Sequence, residues 1–328
     1  MRIETLCEPG SPDRRNEDAL FLQQVDGVVL AAAIDGATER IPSTGLPTLL
    51  EVDYADMTSA AFAARVTRDA LREHSDLPPR EMLVAANNRL RAALESVYGP
   101  LSPQAIFDRE PGLSDWAHDL RYVRMVLPAC VVTLIRYDTI RQQLEYAHLG
   151  DTALMFFQDD GTVQMVAGHD GRVSSQGTLG MAQRIQQTDG LPHLRDAVAH
   201  ATVIKRNLEG ALYHNYVDEH EQLDPLRGVG VIDGLREAEA FIKTGALAVD
   251  ASTTGILVFT DGLMWPAEFD ESPAQVQHRL QHMCSVIEGH GLRGYYDLLR
   301  TEETNDAQFD RYPRFKLHDD ATGIYVYH

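Results

Sequence analysis

The chain repeats one unusual pairing, an apolar run that reads as a core strand and ends in an acid. VVLAAAIDG runs into Asp35 and Gly36, and ILVFTDG runs into Asp261 and Gly262. YAHLGDTAL sets Asp151 in the turn between two strand-like runs. LHDDATGIYV sets Asp319 and Asp320 before the last run, and RRNEDALFL sets Glu17 and Asp18 before an early one. Carboxylates are rarely buried unless their charge is compensated. One acid at a strand end is well explained as a turn residue or helix cap. Five segments with the same habit constrain the fold, because strands packed side by side would bring their tips together. Converged carboxylates repel strongly where water is scarce, and either protons or divalent cations must relieve them. Mg²⁺ and Mn²⁺ prefer oxygen ligands and suit a set without His or Cys. The glycines after Asp35 and Asp261 let the backbone turn sharply and offer a carbonyl. A two-metal carboxylate site predicts hydrolysis by a metal-activated water, most naturally of a phosphate ester.

Periodicity supplies the frame. ALFLQQ and GVVLAAAID read as strands joined by a tight turn at Asp26-Gly27. DYADMTSAAFAARVTRDALREH and REMLVAANNRLRAALESVY carry apolar residues at helical spacing and predict antiparallel neighbours. A polar, proline-containing stretch over 99–121 breaks the regularity. PACVVTLIRYD, QLEYAHLGD, ALMFFQDDG and VQMVAG predict four successive strands, with a hairpin at Asp159-Asp160-Gly161. Over 168–250 the signals weaken, and the expectation is an elaborated loop region with one or two short helices above the active face. TGILVFTDG returns to strand, SPAQVQHRLQHMCSVIEG and the stretch around YYDLLRTE predict helices, and DDATGIYVYH predicts a final strand. This is not βαβ alternation. It predicts a single α+β domain over 1–328, of antiparallel sheets with helices on their outer faces.

Charge narrows the partners. Lys and Arg total 29 against 49 Asp and Glu, a net charge of -20. Such a surface repels nucleic acid and anionic membrane and argues against both as partners. The acidity reads first as solubility, and the alternative reading is that some of the acids are clustered for cations. Cys7, Cys130 and Cys284 are dispersed and odd in number, which fits free thiols in a reducing compartment. MRIETLCEPG has no apolar centre of a signal peptide, and the run Val28 to Ile34 is too short to span a bilayer. The expectation is a soluble, cytoplasmic protein of open oligomeric state.

The ordered series NED, DG, GD, DG and DD-A-T, each in its strand context, resembles the metal-dependent protein phosphatases of the 2C type. FTDGLMWP is similar to that family's S-D-G-L-W-D segment, HLGDTAL to its G-D-S-R, and DDATGIYV to its D-N-x-T. GVIDGLREAEAFIKTG resembles stretches of bacterial members. Each motif alone is weak, whereas the full series spans Gly10 to Val326. The resemblance implies a four-layer α-β-β-α sandwich of two antiparallel sheets flanked by helix pairs. It implies that Asp35 bridges two Mn²⁺ or Mg²⁺ ions, with the Gly36 carbonyl on one and Asp261 and Asp319 on the other. Glu17 and Asp18 would hold metal-bound waters, and Asp151 with Asp261 would form a third, weaker site. The reaction implied is attack on phosphoserine or phosphothreonine of a phosphoprotein by a water bridging the two metals.

Three positions depart from the family. Its phosphate-binding arginine is replaced by Asp13, with Arg14 and Arg15 adjacent as substitutes, and the histidine after its first D-G is Ala37. Asp320 stands for the common asparagine. Two alternatives stay open, a phosphatase of a non-protein phosphoester and an inactive relative serving as a binding or regulatory module. Other signals carry less. His278 and His282 have zinc spacing without a glutamate between them and fit a solvated helix face. GVGVIDG at Gly228 lacks the dinucleotide spacing and reads as loop, as does GHDGRVSSQG at Gly168. His169 is a weak candidate near the site, and Trp265 reads as a packing residue.

Overall fold

Alternation along β3 (Val28–Gly36) fixes the layering. Val29, Ala31 and Ala33 pack to one side, Leu30, Ala32 and Ile34 to the other, and all six are buried. A strand apolar on both faces needs a layer on each side. The computed structural model describes residues 1–37, 57–102, 105, 124, 127–168, 172–206, 213–218, 220, 222 and 228–328.

The first sheet contains β2 (Ala19–Val25), β3, β4 (Cys130–Asp138), β5 (Gln143–Leu149) and β10 (Lys243–Ala248), in the order β10-β5-β4-β3-β2. The second contains β1 (Arg2–Glu8), β6 (Ala153–Gln158), β7 (Val163–Ala167), β11 (Thr253–Phe259) and β12 (Ala321–Tyr327), in the order β1-β12-β11-β6-β7. Every pairing within these two sheets is antiparallel. Val29, Ala31, Ala33 and Ile135 of the first sheet meet Ile256, Val258, Ile324 and Val326 of the second in a shared core.

Helices close the outer faces. α1 (Ser59–Glu73), capped by the Thr58 hydroxyl, and α2 (Pro79–Tyr98) cover the first sheet. α6 (Pro273–Asn305) opens with a Ser272–Gln275 capping box and covers the second through Met283, Cys284, Ile287, Tyr295 and Leu299. At Gly291 (φ 73°) α6 kinks, and the freed Leu292 amide donates to Glu4 Oε2 at 2.7 Å. The two helices expected here are thus joined end to end. The fold is α+β, two antiparallel five-stranded sheets with flanking helices.

Three features differ from expectation. β1 and β10 were hidden by their short, mixed patterns and are edge strands. The stretch over 168–250 is more than loop with short helices. It carries α3 (Arg172–Asp189) and α4 (Leu194–Arg206), 18 and 13 residues long, so GHDGRVSSQG enters a helix. Ala182, Ala197, Val198 and Ala201 seal the pair with Phe309. Small side chains and glycines weaken the periodic signal there, and packing overrides propensity. After them come β8 (Tyr213–His214), β9 (Gly228–Val229), a bridge between Ile232 and Cys130, and α5 (Ala238–Phe241). GVGVIDG therefore contributes a short strand. His169 and most of the stretch 99–121 lie outside the described residues.

Candidate functional site

Strand register assembles the acids. Ala19 pairs with Ile34, so one step further Asp18 stands beside Asp35. Phe259 pairs with both Ala153 and Gly323, and beyond it Thr260 donates its amide to the Thr322 carbonyl at 2.9 Å. The same register carried outward brings Asp261 towards Asp151 on one side and the Asp319–Asp320 pair on the other. Both sheets thus end at one edge of the sandwich in a row of carboxylates.

Two glycines make the approach close. A Cβ on Gly262 would lie 1.8 Å from the Asp320 carbonyl oxygen, and one on Gly36 would lie 2.7 Å from that of Glu17. Gly150, at φ +86°, turns the chain into Asp151 in a conformation that favours glycine.

The electrostatics follow. Burial pushes Asp18 well above the ordinary carboxylate range, against the Thr260 hydroxyl, which donates to its Oδ2 at 2.7 Å, and Asp320, Asp319 and Asp261 push further. Asp35 is raised well above its usual value by burial and then by Asp18, Asp261, Asp151 and Asp319. Asp261 is exposed as a residue, yet its carboxyl is turned in among the other acids, and desolvation there, followed by Asp319 and Asp151, pushes it up to about 8. Its side chain shares a hydrogen bond with Asp35. Asp18, Asp35, Asp151, Asp261, Asp319 and Asp320 therefore belong to one electrostatic cluster.

Other expected residues sit differently. Glu17 is half-buried, and its amide, with that of Gly10, donates to the Asp320 carboxylate, each at 2.7 Å. Asp320 thereby ties both ends of the loop that carries Arg14 and Arg15, which are exposed at its crest. Ala37 packs among Ala129, Val131, Val229 and Val231. Trp265 packs edge-on to the His282 ring at 4.5 Å, and His278 and His282 are both exposed on α6.

Sequence reasoning missed Thr260 and Lys316. Thr260 is fully buried and its hydroxyl also accepts from the Thr322 amide at 2.9 Å. The Lys316 ammonium donates to Asp319 Oδ1 at 2.7 Å. Burial opposes its charge, but Asp319, Asp35 and Asp261 outweigh this and raise its pKa. A basic residue three positions before the Asp pair was the available signal. Oxygen donors of this kind suit hard divalent ions. As the side chains stand, among the described residues, no three His, Cys, Asp or Glu are arranged to hold an ion. Asp261 is turned to Asp35, and Asp319 to Lys316.

Comparison of the sequence with protein-family models and with curated proteins gives no match. Solved structures do match. The Mycobacterium tuberculosis serine/threonine phosphatase PstP/Ppp superposes with a TM-score of 0.50 at 13% identity, covering 100% of this chain and 99% of that one. The photosystem II phosphatase PBCP gives 0.49 at 12% identity over 100% and 98%. The catalytic domain of PstP in complex with two manganese ions gives 0.46 at 13% over 99% and 96%. The chain has the fold of the 2C-type protein phosphatases, at a distance where likeness speaks for architecture alone.

Proposed function

We propose that the chain is a Mn²⁺- or Mg²⁺-dependent phosphoric monoester hydrolase that acts on phosphoserine or phosphothreonine of a partner protein. The observation that supports it most is the convergence of six aspartates from both sheets, within this fold, into one cluster. Asp35 with the Gly36 carbonyl, Asp261 and Asp319 are the residues to hold two ions, and Asp151 with Asp261 a third. Ions there supply a water acidic enough to attack near neutral pH and offset the charge on the phosphoryl group.

The remaining roles fall to the chain itself. Asp18, oriented by Thr260, and Glu17 stand beside the ligands and fix the water structure around them. Arg14 and Arg15, on the loop tied down by Asp320, are the groups to meet substrate phosphate. Ala37 offers no proton, so the leaving alkoxide takes its proton from solvent. The three free cysteines support a reducing compartment such as the cytoplasm.

The test is hydrolysis of p-nitrophenyl phosphate and of a phosphothreonine peptide with Mn²⁺, with chelator, and by Asp35→Asn. Turnover of both with Mn²⁺, abolished by chelator and reduced at least ~100-fold in the variant, is the expected result. Turnover of the small ester alone would point to a non-protein phosphoester. No Mn²⁺-dependent turnover of either would reject the enzyme in favour of a binding module.

A further inference from the structure

Lysine is scarce in this chain, with three residues among 29 basic ones, and one of the three stands inside the acidic cleft. Lys316 is held there from both sides. Arg314 reaches Asp306 Oδ2 at 2.8 Å and the Glu303 carbonyl at 2.7 Å, and His318 Nδ1 lies 2.8 Å from Glu303 Oε2. Arg300 donates to the Asp319 carbonyl. The segment is therefore braced against α6, with the Lys316 ammonium on Asp319 and close enough to Asp35 and Asp261 to feel their charge. Its ammonium meets Asp319 Oδ1, the same oxygen that accepts the Asp320 amide at 3.0 Å. That oxygen is already spoken for twice. An arginine would spread its charge over a planar fork, whereas an ammonium is a compact point charge of the kind that stands in for a metal ion.

We propose, on the footing of the metal-dependent function above, that Lys316 is a tethered cation that competes with a divalent ion for Asp319. It balances the cleft when no ion is bound, and it must yield Asp319 Oδ1 before the ion between Asp261 and Asp319 can enter. The ion held through Asp35 and the Gly36 carbonyl does not need Asp319 and is not blocked in this way. Loading is then ordered, with a tight first ion and a weaker second one, and Lys316 sets the gap. The device also limits how far the metal-free protein suffers from its own acids, since a positive charge at contact distance offsets part of their repulsion.

The experiment is Mn²⁺ titration by calorimetry and by the electron-spin-resonance signal of free Mn²⁺. It uses the whole chain, as wild type, Lys316→Met and Lys316→Arg. Below the concentrations that load the ion at Asp151, wild type should bind in two steps. In Lys316→Met the second step should tighten about tenfold, equivalent to about 1.4 kcal/mol, with the first step changed by less than threefold. Lys316→Arg, which keeps the charge but spreads it over a planar fork, should fall between wild type and Lys316→Met.

Thermal melts supply the second readout. Lys316→Met should melt lower than wild type in chelator and close to wild type in excess Mn²⁺, whereas loss of a merely structural contact would lower both melts alike. If Lys316→Met does not fold, Lys316→Gln, which keeps a donor without the charge, is judged by the same two criteria. An unchanged second step in a folded, uncharged variant overturns the tethered cation while leaving the metal centre standing. If no form binds Mn²⁺, the metal-dependent function itself has failed.

Discussion

At Gly262 the space for a single methyl group decides whether the cleft can exist. The Asp320 carbonyl oxygen lies 1.8 Å from where a Cβ would be, and it is main chain, with little freedom to retreat. Gly262→Ala should therefore part the Asp261 turn from the Asp319–Asp320 segment and cost about 3 kcal/mol by urea denaturation. A loss below about 1 kcal/mol would mean that the two segments are not packed as described. Thr260→Val is gentler in shape and sharper in chemistry. It keeps the volume but removes the donor to buried Asp18 and the acceptor for the Thr322 amide. Leaving a buried carboxyl group without its donor should cost about 2 kcal/mol. The aspartates themselves were legible because each interrupts or borders an apolar run, which makes a charge conspicuous. Lys316 was not, since RFKLHDD is largely polar and the role of the lysine exists only once the chain bends back along α6. Thr260 was hidden for the opposite reason, as threonine is ordinary in a strand.

The elements divide along the same physical line. β3, β4, β11 and β12 were legible because burial on both faces forces long apolar runs, and α1 and α2 because one helical face carries the core residues. β1 and β10 lie at sheet edges, where one flank is open and sequence is less constrained. α3 and α4 escaped because alanines and glycines do the packing. A methyl group on Gly180 in α3 would meet nothing within 4 Å, so Gly180→Ala should raise stability by about 0.5–1 kcal/mol, read from the urea midpoint. The loop between β1 and β2 depends on a device that no local pattern announces. Asp320, some three hundred residues away, accepts the Gly10 and Glu17 amides at 2.7 Å each. Asp320→Ala should release both, so that these two amides lose hydrogen-exchange protection by roughly tenfold or more, equivalent to about 1.4 kcal/mol per decade. Protection unchanged at Gly10 and Glu17 would remove Asp320 as the anchor of the arginine-bearing loop.

At the scale of the whole molecule, the acidic edge is where both sheets end, so its charge state bears on global stability. Aspartates in the unfolded chain release their protons near pH ~4. In the folded chain Asp18 and Asp35 hold theirs to well above that, and Asp261 to about 8. Between roughly pH 4 and 8 the folded state therefore carries more protons than the unfolded one. The stabilisation is fully present below the lower limit and is lost as pH rises through the folded values. Metal-free protein should thus melt lower at pH 8 than at pH 5, a trend opposite to that of carboxylates held in ion pairs. Asp261 is exposed over part of its surface, and solvent there screens its share, so the expected fall is about 4 °C in a chain of this size. Divalent ions bind the deprotonated carboxylates and displace protons. Saturating Mn²⁺ should therefore flatten or reverse the slope, while Asp35→Asn should shrink it in chelator and blunt the response to Mn²⁺. Melts at pH 5, 6, 7 and 8 with chelator and with Mn²⁺ decide the matter. A metal-free protein that grows more stable over that range would mean that the six aspartates do not share one poorly hydrated cleft, and the two sheets would need another reason to end in acids.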